Sequence, residues 1–407
     1  MSRIIARFIR FTKGWRGRRL LAACMCLSLS VCAPTVAAHH VTVSGDGVLY
    51  RPSDPSQFAG YPRVIRLAHN GAANGTLLAT FGINVGGTDS LLIYRSADGG
   101  RSWSRLSTLA DSAYGGRTCC ETLFEVPRTL GGTPAGTLLL AESAGAAGTV
   151  GHELKIFRSG DQGRAWTYFS SCAKGAGGVW EPDFQIDRAG RLVCYFSDER
   201  RAAYSQFLGH VVSADGGKTW GPEHVDVAVP DGSSRPGMAT VIRLPSGRYV
   251  MSFEVCGRTN CEVHLKTSAD GDAWGNAADL GPRVQTSAGV YAGHTPYIAW
   301  APEGGAHGEI LLTAHDLYGR DDTVAPQSRR VLLVNRREGA GPWSTIAAPI
   351  QVSQGGPDCA NYSSALLPSS TGGGLFMLAA AGLDGGGCEI RYGRTPIGDP
   401  TATTTSS

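Results

Sequence analysis

One octapeptide recurs along the chain, and this repeat constrains the fold more than any other feature of the sequence. Ser96-Ala-Asp-Gly-Gly-Arg-Ser-Trp103 returns with small changes at 159–166 and 213–220, and a shortened copy occupies 268–274. Successive copies begin 63, 54 and 55 residues apart. Similar units at such a spacing indicate a solenoid, a propeller or an array. The chain is therefore built from repeated units.

The octapeptide itself has the composition of a tight turn. We expect Asp98 to accept hydrogen bonds from backbone N–H groups one or two residues further on, with Gly99 or Gly100 at positive φ. Trp103 then folds back as an apolar plug, and its indole N–H needs a partner if it is buried. Because the turn repeats where an active site would not, we interpret it as structural.

Short alternating runs precede the octapeptides and predict β-strands. They occupy 91–94, 154–157, 210–212 and 262–265, and two similar runs without a preserved octapeptide follow at 330–334 and 388–392. Fifty-six glycines, twenty-one prolines and 17% charged residues fit short strands joined by tight turns. We predict an all-β fold, a six-bladed β-propeller of four-stranded antiparallel blades, because a closed ring protects its sheet edges.

The two ends of the chain predict an exported protein. A basic segment from Arg3 to Arg19, an apolar run over 20–31 and the small residues of 36–38 form the pattern of a secretory signal peptide. We expect residues 1–38 to be this signal, 39–400 to be one propeller domain and 401–407 to be a disordered polar tail. The mature protein is then secreted, extracellular or periplasmic, and has no membrane contact after cleavage.

Charge and cysteine content narrow the partners and cofactors. A net charge of +3 is too small to favour nucleic acid, and we expect a monomer. Eight cysteines remain after the leader, and an even number in an exported chain favours disulfides. Their spacing is not that of a zinc site, so neither a metal nor another cofactor is predicted. The pairs that we expect are Cys172–Cys194, Cys256–Cys261 and Cys359–Cys388, with Cys119 and Cys120 bonded to each other or elsewhere.

Two glutamates stand out because each lies in an otherwise apolar strand, where a charge is costly. Glu181 lies in Val179-Trp-Glu-Pro-Asp-Phe184, and Glu254 lies in Tyr249-Val-Met-Ser-Phe-Glu-Val255. They are 73 residues apart, so we expect them at equivalent places in successive blades, facing one cavity. A pair of carboxyl groups is what cleavage of a glycosidic bond requires. Salt bridges to arginines are the alternative interpretation of each glutamate.

Other candidates lie where the sequence predicts the start of an innermost strand, so that their side chains would face the central channel. Tyr362 could hydrogen-bond a catalytic carboxylate, and aromatic rings could stack on sugars, although aromatic residues in a propeller are more often core. The predicted substrate-binding residues are Arg63, Trp180, Asp183, Arg235, Tyr291, His294 and Tyr297.

These residues carry a resemblance to a known family. The pattern Ser-x-Asp-x-Gly-x-x-Trp resembles the Asp box of the sialidase superfamily. Further segments resemble glycoside hydrolase family 93, the exo-acting α-L-arabinanases. They are Tyr-Pro-Arg at 61–63, Cys-Cys-Glu at 119–121, Trp-Glu-Pro at 180–182, Arg-Pro-Gly-Met at 235–238, the Glu254 strand and Asn-Tyr-Ser at 361–363.

The resemblance implies a secreted retaining glycoside hydrolase, most closely an exo-acting α-1,5-L-arabinanase, acting on an oligosaccharide or polysaccharide of neutral plant type. It implies that two glutamates catalyse the reaction and that a tyrosine supports them, which places these roles on Glu181, Glu254 and Tyr362. Glu181 is then the acid/base and Glu254 the nucleophile, or the reverse.

Two other functions remain open. A sialidase would need three arginines around the sialate carboxylate; Arg63 and Arg235 could supply two, and Arg394 is the remaining candidate for the third. Tyr61-Pro-Arg63 also replaces the usual Arg-Ile-Pro motif of sialidases, and both departures favour a neutral sugar. A non-catalytic propeller that binds a glycan or a protein is the third possibility, since a fold does not fix a function.

Overall fold

A computed structural model describes residues 46–145 and 151–397. The predicted signal peptide, 1–38, and the predicted tail, 401–407, lie outside the described residues. Within the described ranges, no helix is long and apolar enough to cross a bilayer.

The described residues form six antiparallel sheets, which are the blades of a propeller. Blade 1 contains β2 (Ala59–Arg66), β3 (Leu77–Val85), β4 (Thr88–Ser96) and β5 (Ser104–Leu109). Blade 2 contains β6 (Thr118–Glu125), β7 (Leu138–Ala144), β8 (His152–Ser159) and β9 (Thr167–Gly175). Blade 3 contains β10 (Val179–Ile186), β11 (Leu192–Asp198), β12 (Phe207–Ser213) and β13 (His224–Val227).

The second half repeats the plan with one addition. Blade 4 contains β14 (Arg235–Arg243), β15 (Tyr249–Cys256), β16 (Glu262–Ser268), β17 (Tyr291–Gly293) and, as a fifth strand, β20 (Asp316–Tyr318). Blade 5 contains β18 (Tyr297–Ala301), β19 (Glu309–Thr313), β21 (Val331–Asn335) and β22 (Ser344–Ala347). Blade 6 contains β23 (Ala365–Pro368), β24 (Leu375–Gly382), β25 (Cys388–Thr395) and β1 (Gly47–Tyr50). Short 3₁₀ helices occupy Gly71–Ala73, Ala113–Gly115 and Thr259–Cys261.

The two ends of the described chain meet in blade 6 and close the ring. Strand β1 is the outermost strand of that blade and pairs antiparallel with β25, with Gly47 opposite Tyr392. The predicted all-β, six-bladed propeller is thereby confirmed. All six runs that the sequence predicts as strands lie in the third strand of a blade: β4, β8, β12, β16, β21 and β25.

The repeated octapeptides are structural turns, as predicted, although their hydrogen bonds reach further than expected. The Asp98 carboxylate accepts from the backbone N–H groups of Arg101 and Ser102, three and four residues on, at 2.9 and 3.0 Å. Ser96 Oγ donates to the same carboxylate at 2.8 Å and accepts the Gly100 N–H at 2.6 Å.

The tryptophans of two octapeptides also join neighbouring blades. Trp166 Nε1 donates to Ser107 Oγ of blade 1, and Trp220 Nε1 donates to Ser170 Oγ of blade 2, both at 3.3 Å. The indole N–H therefore finds its partner on the blade before, and each turn fixes the contact between two sheets.

The second strand of each blade lies among the most buried segments because neighbouring blades cover both of its faces. Every residue of β7 and β11 is buried, and the residues 249–255 of β15 are buried as well. Polar side chains in these strands are therefore held in an apolar environment, and this applies to Glu142 on β7 and to Glu254 on β15.

Four disulfides are present among the described residues, and the three expected pairs are confirmed: Cys172–Cys194, Cys256–Cys261 and Cys359–Cys388. Cys119 and Cys120, for which two alternatives were open, are bonded to each other. Such a set is typical of a protein that folds in an oxidising compartment, which supports an extracellular location.

Removing the Cys359–Cys388 bond by a double substitution to serine should lower the free energy of unfolding by about 3–4 kcal/mol, since the loss grows with the closed loop. This bond spans 29 residues of blade 6, whereas Cys256–Cys261 spans five, for which we expect about 2 kcal/mol. Chemical denaturation of both double variants measures the two losses. Equal losses would contradict the loop-length explanation.

Candidate active site

The innermost strands of the first four blades share an irregularity at one position. In β2, β6, β10 and β14 the pairing to the second strand slips by a bulge, and in each bulge one residue has a positive φ near 60°. Such a conformation is strained for a side-chain-bearing residue, and bulges re-aim side chains beside active sites. The four residues are Tyr61, Cys120, Glu181 and Met238. The strands that carry them contact one another in turn around the propeller axis.

Glu181 occupies this bulge position in blade 3. Its Oε2 accepts a hydrogen bond from Ser197 Oγ at 2.5 Å and one from the backbone N–H of Met238, on the next blade, at 3.1 Å. Burial raises the pKa of the Glu181 carboxyl above its ordinary value, while these two donors oppose the rise because they stabilise the ionised form.

Glu254 reaches the same site from a different kind of strand. It lies on β15, the second strand of blade 4, directly opposite Gly237 of β14. Its Oε2 accepts the backbone N–H of Thr295, which lies just before blade 5, at 2.6 Å. Burial, together with the nearby charge of Glu181, raises the pKa of this carboxyl to about 8, although the hydrogen bond from Thr295 opposes the rise.

The two glutamates therefore lie in successive blades, as predicted, but the expectation that they hold equivalent positions is wrong. The equivalents of Glu254 are Ser143 and Ser197, which lie on the second strands of blades 2 and 3. Each of these serines accepts a backbone N–H from the bulge of the following blade, Glu181 at 3.1 Å and Met238 at 3.2 Å. Glu254 places a carboxylate where the other blades place a hydroxyl.

Tyr362 completes this group of three predicted catalytic residues. It lies just before β23 in blade 6, half-buried, and burial followed by the charges of Glu254 and Glu181 raises the pKa of its hydroxyl well above the ordinary value. Its ring lies 6.3 Å from that of Tyr61 and 6.1 Å from that of His315, measured between centroids. The structure thus brings Glu181, Glu254 and Tyr362 into one electrostatically coupled cluster.

Arg63 and Asp183 lie two residues beyond the bulge positions of their innermost strands and form a second layer of side chains. Asp183 Oδ2 accepts the backbone N–H of Val241 at 2.8 Å, and burial raises the pKa of Asp183 to about 6 although the charge of Arg63 opposes the rise. The Arg63 guanidinium lies 4.1 Å from the ring centroid of Tyr61 and 5.1 Å from that of Tyr297. Three of the predicted binding residues, Arg63, Asp183 and Tyr297, are therefore neighbours.

The two channel arginines are held by protein groups. Arg63 is 6% exposed and donates to the carbonyl and the hydroxyl of Ser363, both at 3.0 Å. Arg235 forms an ion pair with Glu199 and donates to Gln206 Oε1 at 2.7 Å, and its charge lowers the pKa of both Glu181 and Glu254.

The third arginine considered for a sialate site lies elsewhere. Arg394 is on β25 and packs over Phe376, beside the octapeptide turn of blade 1. Arg329, which sequence reasoning did not select, is buried and bound to Asp316 at 2.9 and 3.0 Å. Among the described residues, the three arginines considered in the sequence do not converge.

Two further predicted binding residues, His294 and Trp180, have different surroundings. His294 Nδ1 lies 3.8 Å from Glu254 Oε2, and burial lowers the pKa of this imidazole. The half-buried ring of Trp180 packs edge-on against His152, at 4.6 Å between centroids.

Tyr291 does not belong to the site. The sequence places it at the start of an innermost strand, but it lies on β17, an outer strand of blade 4. It is 1% exposed, donates to Asp322 Oδ1 at 2.6 Å and stacks on Tyr318. The expectation that Tyr291 begins an innermost strand is wrong, because blade 5 begins only at Tyr297.

Sequence reasoning missed the groups that support the carboxylates. Ser197 is an unremarkable residue in an apolar strand, and only its contact with Glu181 shows its role. Glu121 was noticed for its neighbouring cysteines alone, yet it is fully buried and its pKa is raised to about 8 by burial. An acidic residue in a strand as apolar as β6 or β7 is the signal that could have identified it.

Comparison with known proteins agrees with this architecture. A family model described as "BNR repeat-like domain" matches residues 61–292, which is more than half of the chain. The chain belongs to the BNR repeat-like domain family. The predicted resemblance to the sialidase superfamily is thereby confirmed. No curated protein sequence matches the chain.

Two solved structures similar to this BNR repeat-like protein are an arabinanase and an arabinofuranosidase. An α-L-arabinanase of Penicillium chrysogenum, complexed with arabinobiose, is 27% identical with a TM-score of 0.73, over 87% of this chain and 98% of that chain. A family GH93 α-L-arabinofuranosidase of Fusarium graminearum is 24% identical with a TM-score of 0.74 and the same coverage. A Hadza microbial sialidase, 15% identical with a TM-score of 0.56 over 84% of this chain and 66% of its own, shares the fold. The first similarity supports assignment to the glycoside hydrolases.

Proposed function

We propose that this protein is a secreted, retaining, exo-acting α-1,5-L-arabinanase. The observation that carries the proposal is the cluster of Glu181, Glu254 and Tyr362, in a propeller 27% identical to an arabinanase over nearly all of that enzyme. Two carboxyl groups of unequal proton affinity are what a glycosidase needs.

In the proposed reaction, Glu181 acts as nucleophile and Glu254 as acid/base. Glu181 receives two hydrogen bonds that favour its ionised form, whereas Glu254 receives one and has a pKa raised to about 8. This order reverses the first assignment made from the sequence and follows the alternative that was left open there. The charge of Glu181 raises the pKa of Glu254, so the two carboxyl groups titrate as a pair.

The steps then follow from the chemistry of the two groups. The Glu181 carboxylate attacks the anomeric carbon while the Glu254 carboxyl gives its proton to the departing glycosidic oxygen. The resulting glycosyl ester is hydrolysed when Glu254, now ionised, takes a proton from the attacking water and the bond to Glu181 breaks. Tyr362, close to both glutamates, is placed to orient the nucleophile.

The arginines favour a neutral sugar. Arg63 is buried against Ser363, and Arg235 is paired with Glu199, so neither guanidinium is free of protein partners. A sialate carboxylate would need a converging set, which the described residues do not show.

The test uses the purified protein with linear 1,5-arabinan and with sialyllactose. We expect one small arabino-oligosaccharide or arabinose to appear from arabinan from the earliest times, and no sialic acid. A ladder of long products would contradict exo action. Release of sialic acid would establish the sialidase alternative, and binding of arabinan without turnover would establish a non-catalytic propeller.

Replacing Ser197 by alanine should move the acidic limb of the kcat/KM profile to higher pH by about one unit. The Ser197 hydroxyl lowers the pKa of Glu181, and one neutral hydrogen bond is worth about 1 kcal/mol, close to one pKa unit. Ser143→Ala is the matched control, since Ser143 contacts the backbone N–H of Glu181 and not its carboxylate. A shift of the alkaline limb instead would show that Glu181 is the acid. An unchanged profile would contradict the role of Ser197 in lowering the pKa of Glu181.

A further inference from the structure

The octapeptide turns lie at the opposite end of the blades from the carboxylate cluster. In blade 1, Arg66 at the end of β2 pairs with Leu77, and Leu77 pairs with Ser96, where the turn begins. Tyr61 and the bulge lie at the other end of β2. The end that carries the turns, named here the Asp-box face, is therefore separate from the proposed catalytic site.

The turn aspartates of this face are already engaged, whereas basic groups remain exposed. The turn aspartates accept backbone N–H groups inside their own turns. The sixth residue of each full octapeptide is basic and exposed: Arg101, Arg164 and Lys218. Positive charge on this face is thus left without carboxylate partners from the turns themselves.

A cavity of about 400 Å³ opens between blades 6 and 1 on this face. Arg66, Arg101 and Arg394 line it, together with the apolar side chains of Leu375 and Phe376. A methyl group at Gly100 would lie 3.3 Å from Arg394 Nη2 and 2.7 Å from the Phe376 ring, so only glycine leaves room for this arrangement.

Arg394 forms no ion pair among the described residues, although the nearby charge of Asp98 opposes the lowering of its pKa. Its Nε and Nη2 atoms are buried and have no hydrogen-bond partner among the described residues. Arg66 and Arg101 each donate one bond, to the carbonyl oxygens of Pro368 and Asp98, and a guanidinium has five N–H donors. Burial and the nearby charge of Arg101 lower the pKa of Arg394. An anion in the cavity would offset both costs.

A second cavity on the same face repeats this chemistry. It measures about 680 Å³ and is lined by Arg188, Arg243 and Arg248. Arg243 ends β14 as Arg66 ends β2. Within residues 46–145 and 151–397, neither Arg188 nor Arg243 forms an ion pair, whereas Arg248 pairs with Glu338 at 3.7 Å. Two separate arginine-lined cavities of sugar size suit a ligand with spaced acidic groups.

We propose that the Asp-box face is a non-catalytic binding site for an acidic polysaccharide, whose carboxylate or sulfate groups bind to Arg66, Arg101 and Arg394. Bidentate recognition by arginine suits such groups. This function goes beyond the proposed hydrolysis, because the catalytic channel is proposed to take a neutral sugar. The face would hold the enzyme on a charged polymer while the channel acts on neutral chains.

The experiment measures binding of the intact protein to oligogalacturonate by calorimetry. The test variant is Arg66→Gln/Arg101→Gln, and Arg394→Gln is a second variant that removes the buried guanidinium. Arg330→Gln, an exposed arginine of blade 5 outside both cavities, is the matched control. We expect each test variant to weaken binding at least tenfold, while the control binds as wild type does and all keep wild-type hydrolysis of a soluble neutral arabino-oligosaccharide.

Two further ligands, measured in the same way, test whether the face selects an acidic saccharide over other anions. Inorganic sulfate and a single-stranded DNA decamer should each bind at least tenfold more weakly than oligogalacturonate at equal charge concentration. Equal binding of sulfate would overturn the saccharide assignment in favour of a simple anion site, and equal binding of DNA would overturn it in favour of general attraction of polyanions. Oligogalacturonate binding that is absent from the wild type, or that survives both test variants, would overturn the proposal even if arabinan hydrolysis is confirmed.

Discussion

Glu181→Gln and Glu254→Gln should each lower kcat on arabinan by about 10³-fold or more, since a lost nucleophile or a lost general acid removes a group that acts in the transition state. Glutamine keeps the shape of the side chain, and its amide oxygen can still accept from Ser197 or from the backbone N–H of Thr295. We therefore expect the folded structure to survive both changes. Initial rates and melting temperatures, measured together, check this expectation.

The matched control is Glu153→Gln. Glu153 lies on β8, accepts from the hydroxyls of Tyr114 and Tyr168, and belongs to neither the cluster nor its neighbours. It should keep wild-type kcat. If either Glu181→Gln or Glu254→Gln hydrolyses arabinan at the rate of this control, the catalytic assignment is wrong.

Azide distinguishes the two roles. In Glu181→Ala, azide should attack the anomeric carbon directly and give a glycosyl azide of inverted configuration. In Glu254→Ala, azide should react with the glycosyl ester on Glu181 and give the retained configuration. The opposite pattern would restore the order in which Glu181 is the acid/base.

The stability of the protein should fall as the pH rises from about 5 to about 8, and Glu121→Gln should remove part of that fall. Glu121 on β6 is fully buried, and its carboxyl oxygens have no hydrogen-bond partner from another described residue. Burial raises its pKa to about 8, and burial also raises the pKa of Glu142 to about 7.

The sign follows from proton linkage. The unfolded chain loses the Glu121 proton near its ordinary pKa of 4.5, whereas the folded chain holds it to about 8. Between these values the folded state binds more protons, so its stability is fully present below about pH 4.5 and decreases as the pH rises. One pKa unit corresponds to about 1.4 kcal/mol, and the total loss is therefore a few kcal/mol.

Melting temperatures from pH 5 to pH 8 measure the effect. Glu121→Gln should melt at least about 5 °C above wild type at pH 8 and near wild type at pH 5. The slope should become shallower without vanishing, because Glu142, Asp183 and Glu254 also have raised pKa values. Glu153→Gln should leave the slope unchanged. A wild-type melting temperature that does not fall with pH would contradict the assigned burial.

Much of the fold could be predicted because the same strand pattern recurs in all six blades. Each blade needs a third strand ending in a tight turn, so the pattern recurs even at 330–334 and 388–392, where the octapeptide is absent. Glu181 could be identified because a charge beside Trp180 and Pro182 in an apolar strand demands an explanation.

The strand that carries each group could not be predicted in the same way. Alternation of polar and apolar residues shows which face of a strand is buried, but not the strand's place within a blade. Glu254 therefore seemed equivalent to Glu181. It instead occupies, on the second strand of blade 4, the position that Ser197 has on the second strand of blade 3. Tyr291 and Tyr297 both looked like strand starts, and only the five-stranded pairing of blade 4 separates them.

The most direct test of the proposed catalytic pair is the configuration of the first sugar released. Proton NMR of α-1,5-arabino-oligosaccharide during the first minutes of hydrolysis, before mutarotation, reports this configuration. Attack by Glu181 and then by water inverts the anomeric carbon twice, so the account predicts a product of retained, α configuration. A product of inverted, β configuration would contradict a covalent intermediate on Glu181, and the absence of any released arabinose or small arabino-oligosaccharide would contradict the proposed function.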